Sequence, residues 1–313
     1  MADVLITEFM HEPTAQALIA DFGAHWDPEL WCKRAELLDR VADARAIVVR
    51  NATQVDVELL DAAPKLRLVA RMGVGLDNID VAACRARGIE VCPAVGANAV
   101  SVAEYVIATA MILLRGRAYY ATPEVIAGTW DRPRYGSGLE LAGRTMGIVG
   151  FGSIGQVVGA RARGMEMKVI AHDAMLPEDA PAWKDAARVD LDTLIEKADV
   201  VTLHCPLLPE TVDLIDAARI ARMKPGAVLI NSARGGIVNE AACAAALRSG
   251  HLGGAALDTL KVEPIDATAR ELFAGLDNLI LTPHVAGVTR DSNRRIAEVA
   301  AANVRRVLGA PAG

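Results

Sequence analysis

The chain has 313 residues, enough for two domains that each bury a core, and 52% of them are apolar with only 4% aromatic, so those cores are built from Val, Leu, Ile and Ala as buried parallel sheets prefer. A net charge of −6 argues against a nucleic-acid surface. The five cysteines, Cys32, Cys84, Cys92, Cys205 and Cys243, include no C-x-x-C pair, which leaves neither a zinc site nor a disulfide framework.

At the amino terminus, Met1-Ala2-Asp3-Val4 lacks a basic n-region, and the longest apolar run, Tyr105 to Leu114, is too short to span a bilayer. The expectation is a cytoplasmic protein with no metal, no membrane and no nucleic acid as partner. Strand-like runs follow at Val4–Thr7, Ala46–Arg50, Leu68–Ala70 and Ile89–Cys92, with helical patterns between them. Ser101-Val102-Ala103-Glu104 reads as a capping box opening a helix to about Leu114, a natural bridge between lobes. Further strands are expected at Met146–Val149, Val169–His172, Val200–His204, Ala227–Asn231, Ala255–Leu257 and Leu279–Thr282. An amphipathic stretch, Thr289 to Leu308, closes the chain and is placed back on the first lobe. Alternation of this kind from end to end predicts an α/β fold of doubly wound parallel sheets.

The most informative segment is Thr145-Met146-Gly147-Ile148-Val149-Gly150-Phe151-Gly152-Ser153-Ile154-Gly155, an apolar run entering a G-x-G-x-x-G turn before a helical pattern. Gly150 permits the tight turn, Gly152 lets backbone N–H groups approach a pyrophosphate, and Gly155 lets the helix pack closely on its strand. The helix amino terminus favours negative charge there. A second strand ends at Asp173, about 20 residues on, where an acid accepts hydrogen bonds from a ribose 2′-hydroxyl. No arginine follows in His172-Asp173-Ala174-Met175 to accept a 2′-phosphate, so NAD is expected rather than NADP. His204-Cys205-Pro206 ends another strand, and two adjacent ligands without others nearby make zinc improbable.

Arg71-Met72-Gly73-Val74-Gly75-Leu76-Asp77-Asn78-Ile79-Asp80, the glycine turn, Asn231-Ser232-Ala233-Arg234-Gly235-Gly236, Asp258 followed by Glu263-Pro264, and Thr282-Pro283-His284-Val285-Ala286-Gly287 resemble, in order, the signatures of D-isomer-specific 2-hydroxyacid dehydrogenases. The resemblance implies two Rossmann-like or flavodoxin-like lobes with the active site in the interdomain cleft. The substrate domain is discontinuous, 1–97 and 286–313, around an NAD-binding domain at 98–285. It also implies a homodimer, a small 2-hydroxy or 2-oxo acid as substrate, and no carboxy-terminal regulatory domain. Catalysis falls to Arg234, Glu263 and His284, and cofactor contacts fall to Gly150, Gly152, Ser153, Ile154, Gly155, Asp173, Cys205, Pro206, Ala233, Asp258 and Gly287. Ser153 departs from the many relatives with arginine there, which shifts pyrophosphate binding towards backbone N–H groups. Leu5-Ile6-Thr7-Glu8-Phe9-Met10 and the loop Thr122-Pro123 to Trp130 look most like the sulfolactate dehydrogenase subfamily.

Residue chemistry fits these roles. Hydride transfer at a hydroxyl-bearing carbon needs a proton moved at the neighbouring oxygen, and an unperturbed imidazole, titrating at about 6.5, suits His284 to it. A carboxylate such as Glu263 favours the imidazolium form, and the planar fork of Arg234 holds a substrate carboxylate. Singly, each also reads as a loop arginine, a loop acid and a strand-end histidine. Arg50 and Arg71 end neighbouring strands, and together they form an expected cationic pocket for a second anion at C3 of the substrate, 3-sulfolactate before 3-phosphoglycerate. Arg132 and Arg134 stand as further contributors, and the backbone amides of Val74 and Gly75 bind the C1 carboxylate. The alternative for Arg50 and Arg71 is to pair nearby acids or hold the Val74–Gly75 loop. Competing functions are a phosphite or formate dehydrogenase, a hydroxypyruvate/glyoxylate reductase, and a non-enzymatic NAD-sensing corepressor.

Overall fold

The computed structural model describes residues 2–309. It divides into two compact units, Met1–Asn98 with Val288–Gly313, and Ala99–Gly287.

The first unit is built on a five-stranded parallel sheet of β1 (Val4–Ile6), β2 (His25–Trp26), β3 (Ala46–Val49), β4 (Leu68–Arg71) and β5 (Glu90–Pro93), in the order β2-β1-β3-β4-β5. Its three central strands, β1, β3 and β4, are buried on both faces because helices cover both. Val4, Ile6, Ala46, Val48, Leu68 and Ala70 point to one layer, where Leu18 of the helix Glu12–Phe22 and Ile296, Ala300 and Val304 of the helix Arg290–Leu308 meet them. Leu5, Ile47, Val49 and Val69 point to the other, against Leu37, Leu59 and Ile89. The terminal helix packs back on this sheet, as the sequence pattern implies.

The second unit carries seven parallel strands: β6 (Thr145–Val149), β7 (Lys168–His172), β8 (Ala187–Arg188), β9 (Val200–Leu203), β10 (Ala227–Asn231), β11 (Leu252–Leu257) and β12 (Leu279–Leu281). Their order is β12-β11-β10-β9-β6-β7-β8, so the winding reverses between β6 and β9. In open α/β sheets, ligands bind at the carboxyl ends of strands at such a switch point, and here that edge holds the glycine turn. The two-residue strands β2 and β8 have no counterpart in the sequence pattern, since two residues carry no periodicity.

One expectation is corrected. The helix runs from Ala99 to Leu114, and a turn over 95–98 precedes it, so Ser101 lies inside its first turn, 5% exposed, rather than capping it. That helix opens the second unit, packed on the helix Ser153–Gly164 and on β10 and β11, with Val106, Ala110 and Leu113 in the core shared with Met146, Ile148 and Val158.

The helix Arg290–Leu308 is opened by a reciprocal cap in which Thr289 Oγ1 accepts from Ser292 N at 3.0 Å and Thr289 N donates to Ser292 Oγ at 2.8 Å. Thr289→Ala should lower the unfolding free energy by about 1 kcal/mol while Thr289→Ser stays near the parent, as read from urea denaturation midpoints.

Candidate active site

At the end of β6, Gly150 adopts φ +90°, and a Cβ there would lie 2.6 Å from the His204 carbonyl carbon and 2.7 Å from Cys205 N at the end of β9. Only glycine fits both the turn and that approach. At Gly155 a Cβ would sit 2.2 Å from Gly150 O, which is the close helix–strand packing the spacing predicts. A Cβ on Gly152 would meet open space, and the helix Ser153–Gly164 has no side-chain cap, so the backbone N–H groups of exposed Ser153 and half-buried Ile154 begin an uncapped helix end suited to a pyrophosphate.

Asp173 follows β7 and takes more of its surroundings than the sequence reading assigns. Its Oδ2 accepts from Phe151 N at 2.7 Å, and its Oδ1 from Met175 N at 2.8 Å and Leu176 N at 2.9 Å. The same carboxylate thus fixes the glycine turn and the loop after β7, and one lone-pair direction of Oδ2 stays available to a ribose hydroxyl.

Just past β9, His204 is half-buried, with Nε2 2.9 Å from Thr202 Oγ1, and desolvation pushes its pKa down to about 3. Burial likewise pushes the Cys205 thiol up to about 11, which leaves it inert beside Pro206. Among the described residues no group of three or more His, Cys, Asp or Glu side chains is placed to hold a metal.

At the end of β10, Asn231 is 1% exposed and clamps the following turn: its Oδ1 accepts from Ala233 N at 3.1 Å and its Nδ2 donates to Arg234 O at 2.8 Å. Arg234 in turn donates from Nη1 to Ala233 O at 2.7 Å. The backbone at Gly235 presses on the next loop, where a Cβ would lie 1.9 Å from Leu260 O. That loop continues to Glu263, whose Oε1 accepts from Leu260 N at 3.0 Å.

His284 meets Glu263 here. The imidazole Nδ1 lies 2.9 Å from Glu263 Oε2, and both side chains are close to half exposed. An ionised carboxylate only accepts, so Nδ1 carries the hydrogen and Nε2 is left to face a reactant. His284 has φ +56°, a left-handed backbone held from below by Asp258, which is 2% exposed. The Asp258 carbonyl accepts from His284 N at 2.8 Å; its Oδ1 accepts from Thr282 Oγ1 at 2.5 Å and Val285 N at 2.8 Å, and its Oδ2 from Ala286 N at 2.9 Å. Thr282 spends its one hydrogen on Asp258, so it receives one from Tyr105, 2.8 Å away, whose phenol burial pushes up to about 12. Gly287 ends this segment and the unit.

In the first unit, Arg50 and Arg71 are not equivalent. Arg71 is 8% exposed and its Nη1 donates to Met72 O with the guanidinium packed against Gly73, so it holds the loop of Val74 and Gly75, the alternative the sequence left open. Arg50, one residue past β3, is half-buried, lies 5.9 Å from the Phe9 ring centroid and donates from Nη2 to Asn293 Oδ1 at 3.3 Å. Arg134 is ion-paired to Glu124 at 3.3 Å. The sequence reading missed Glu8, Asn78, Tyr105, Asn231 and Thr282, because nothing in a lone polar residue at a strand end shows which distant loop it will hold.

Residues 107–286 match the family model described as "D-isomer specific 2-hydroxyacid dehydrogenase, NAD binding domain". The (S)-sulfolactate dehydrogenase of Chromohalobacter salexigens is 52% identical over 310 residues, covering 99% of both chains. The chain belongs to the D-isomer specific 2-hydroxyacid dehydrogenases. The D-3-phosphoglycerate dehydrogenase of Mycobacterium leprae is 40% identical over 97% of this chain, which spans 56% of that protein's length. Among solved structures, the D-lactate dehydrogenase of Aquifex aeolicus complexed with NAD and lactic acid matches with a TM-score of 0.81 at 28% identity, over 97% of this chain and 95% of that one. No helix among the described residues is long and apolar enough to cross a membrane.

Two outcomes follow for this dehydrogenase. His204 is neutral when folded and titrates near its ordinary 6.5 when unfolded, so the unfolded chain binds the extra proton below that pH. Stability present above about pH 6.5 is therefore lost as the pH falls towards 3, at up to about 1.4 kcal/mol per unit, and His204→Asn should flatten that slope in urea unfolding between pH 7 and 5. With Asp173 fixed by three backbone N–H groups at the turn, a 2′-phosphate meets a like charge that has no room to turn away, so kcat/KM for NADH should exceed that for NADPH by roughly 10²-fold.

Proposed function

We propose that this dehydrogenase interconverts a small 2-hydroxy acid and its 2-oxo acid with NAD, and that the acid carries a second anionic group at C3, 3-sulfolactate ahead of 3-phosphoglycerate. Arg50 carries the substrate assignment. It is a half-buried guanidinium whose pKa desolvation lowers, and among the described residues it has no carboxylate at ion-pair distance. A partly desolvated cation whose nearby carboxylate, Glu8, is occupied by backbone amides is a site for an anion. One guanidinium balances the single charge of a sulfonate better than a phosphate's −1.5 to −2 at about pH 7. Arg71, held under the 72–73 backbone, adds background charge rather than a second fork. The 52% identity to a protein named (S)-sulfolactate dehydrogenase supports the same order.

In the proposed mechanism the Arg234 guanidinium holds the C1 carboxylate as a planar fork. His284 Nε2 takes the proton of the 2-hydroxyl during oxidation and returns it to the 2-oxo oxygen during reduction. Glu263 fixes the tautomer through Nδ1 and balances the charge the imidazole acquires. NAD, when bound, supplies the hydride acceptor, and its reduced form the donor. The His284–Glu263 pair at 2.9 Å favours an enzyme over a purely NAD-sensing protein. We also assign the protein to the cytoplasm, and as a homodimer; the second assignment is supported by the exposed apolar side chains of Ile126 and Trp130, 81% and 78% exposed, close in sequence to Tyr119.

His284→Ala should lower kcat by about 10²-fold. Steady-state kcat/KM for 3-sulfolactate, 3-phosphoglycerate, glycerate and lactate should favour the first, and Arg50→Ala should cost the two C3 anions far more than the others. A parent enzyme that handles lactate as well as 3-sulfolactate overturns the second-anion assignment.

A further inference from the structure

Parallel pairing of β1 with β3, Ile6 opposite Val48, sets the residues that follow the two strands side by side. The first carries Glu8, 5% exposed, and the second the loop Arg50-Asn51-Ala52-Thr53. Glu8 Oε1 accepts from Arg50 N at 2.7 Å, Thr53 N at 3.0 Å and Thr53 Oγ1 at 2.8 Å, while its Oε2 accepts from Ala52 N at 3.1 Å. These contacts use the accepting capacity of a carboxylate, about four directions. The carbonyls of the same loop go elsewhere. Asn78, 8% exposed, donates from Nδ2 to Thr53 O at 2.6 Å and Arg50 O at 3.2 Å, and its own carbonyl accepts from Val55 N at 2.8 Å.

One side chain thus takes the amides of the Arg50 loop and another its carbonyls. Asn78 also closes the segment that carries Val74 and Gly75, so it links the loop assigned to the C3 anion with the loop assigned to the C1 carboxylate. We infer that Glu8 and Asn78 are positioning residues that set the preference for a substrate with a second anion, by fixing the distance between Arg50 and the Val74–Gly75 turn; this rests on the reading of Arg50 given above. Glu8 is not a direct counter-ion: its oxygens face backbone amides, whereas the Arg50 guanidinium lies by Asn293 Oδ1 and the Phe9 ring.

The test is the ratio of kcat/KM for 3-sulfolactate to that for glycerate, which has the same carbon skeleton without the second anion. It is measured in the parent, Glu8→Gln, Asn78→Ala and Arg50→Ala, with the milder Glu8→Asp and Asn78→Ser for any variant too unstable to assay. The ratio divides out the fraction of folded enzyme, so lost stability alone does not move it. It should fall about tenfold in both Glu8→Gln and Asn78→Ala, mainly through KM for 3-sulfolactate, as expected for a displaced charge-assisted contact. Charge alone gives the opposite sign for Glu8→Gln, because deleting a carboxylate near Arg50 raises the local positive potential. A ratio that rises in Glu8→Gln, or stays at the parent value in both variants while Arg50→Ala collapses it, overturns the positioning role. A ratio unchanged in Arg50→Ala overturns the reading of Arg50 itself, and this inference with it.

Discussion

The carboxylate of Asp258 is the support on which the His284 loop depends. A buried charge without hydrogen bonds is costly, and Asp258 is 2% exposed with no cationic partner among the described residues. Its three donors come from Thr282, Val285 and Ala286, so satisfying the carboxylate and shaping the loop are one event. The left-handed backbone of His284, which costs a non-glycine residue on the order of 1 kcal/mol or more, is held by those contacts on either side of it. Glu8, Asp173 and Asn231 repeat the arrangement past β1 and β7 and at the end of β10. The physical reason is common to all four. Loops at the carboxyl edge of a parallel sheet leave the ladder with backbone groups unpaired, and one buried or half-buried polar side chain satisfies several of them at once.

Two histidines show how environment divides the chemistry. His204 is half-buried beside Thr202, and desolvation holds it neutral down to about pH 3. His284 stands close to half exposed with a carboxylate at Nδ1 and an open Nε2. The first ring can accept and donate hydrogen bonds but takes up no second proton near neutrality. Only the second has both a site for a proton and a charge to balance it.

Most of the framework is legible in the sequence because buried parallel strands are continuous apolar runs: Ala227–Asn231 is read with both ends correct, and the other long strands to within a few residues. The glycine turn is legible because Gly150 and Gly155 answer to local sterics. What escapes is non-local. Ser101 looks like a cap until a turn before Ala99 starts the helix earlier. Arg50 and Arg71 look alike at two strand ends, and what separates them is that one side chain folds under its own following backbone. Glu8 meets its partners 42 to 45 residues away, and no pattern in the intervening chain announces the contact.

The placement of these residues separates the set proposed to move the proton from the set proposed to select the substrate. Arg234, Glu263 and His284 lie in Ala99–Gly287, braced by Asn231 and Asp258 from the same unit. Arg50, Glu8, Asn78 and the Val74–Gly75 turn lie in the other unit, braced among themselves. A substitution at Glu8 or Arg50 therefore removes no hydrogen bond from His284, and one at Asp258 removes none from Arg50. On that division, selectivity can drift through a few residues at the carboxyl edge of the five-stranded sheet while the proton-transfer pair stays as it is. Relatives named for sulfolactate, phosphoglycerate and hydroxypyruvate, 52% to 35% identical to this chain, are what such drift would produce. The constraint on drift is the buried polar clamp: a new side chain at position 8 or 78 must still satisfy the amides and carbonyls of the Arg50 loop, so changes there have to come in compensating sets rather than singly.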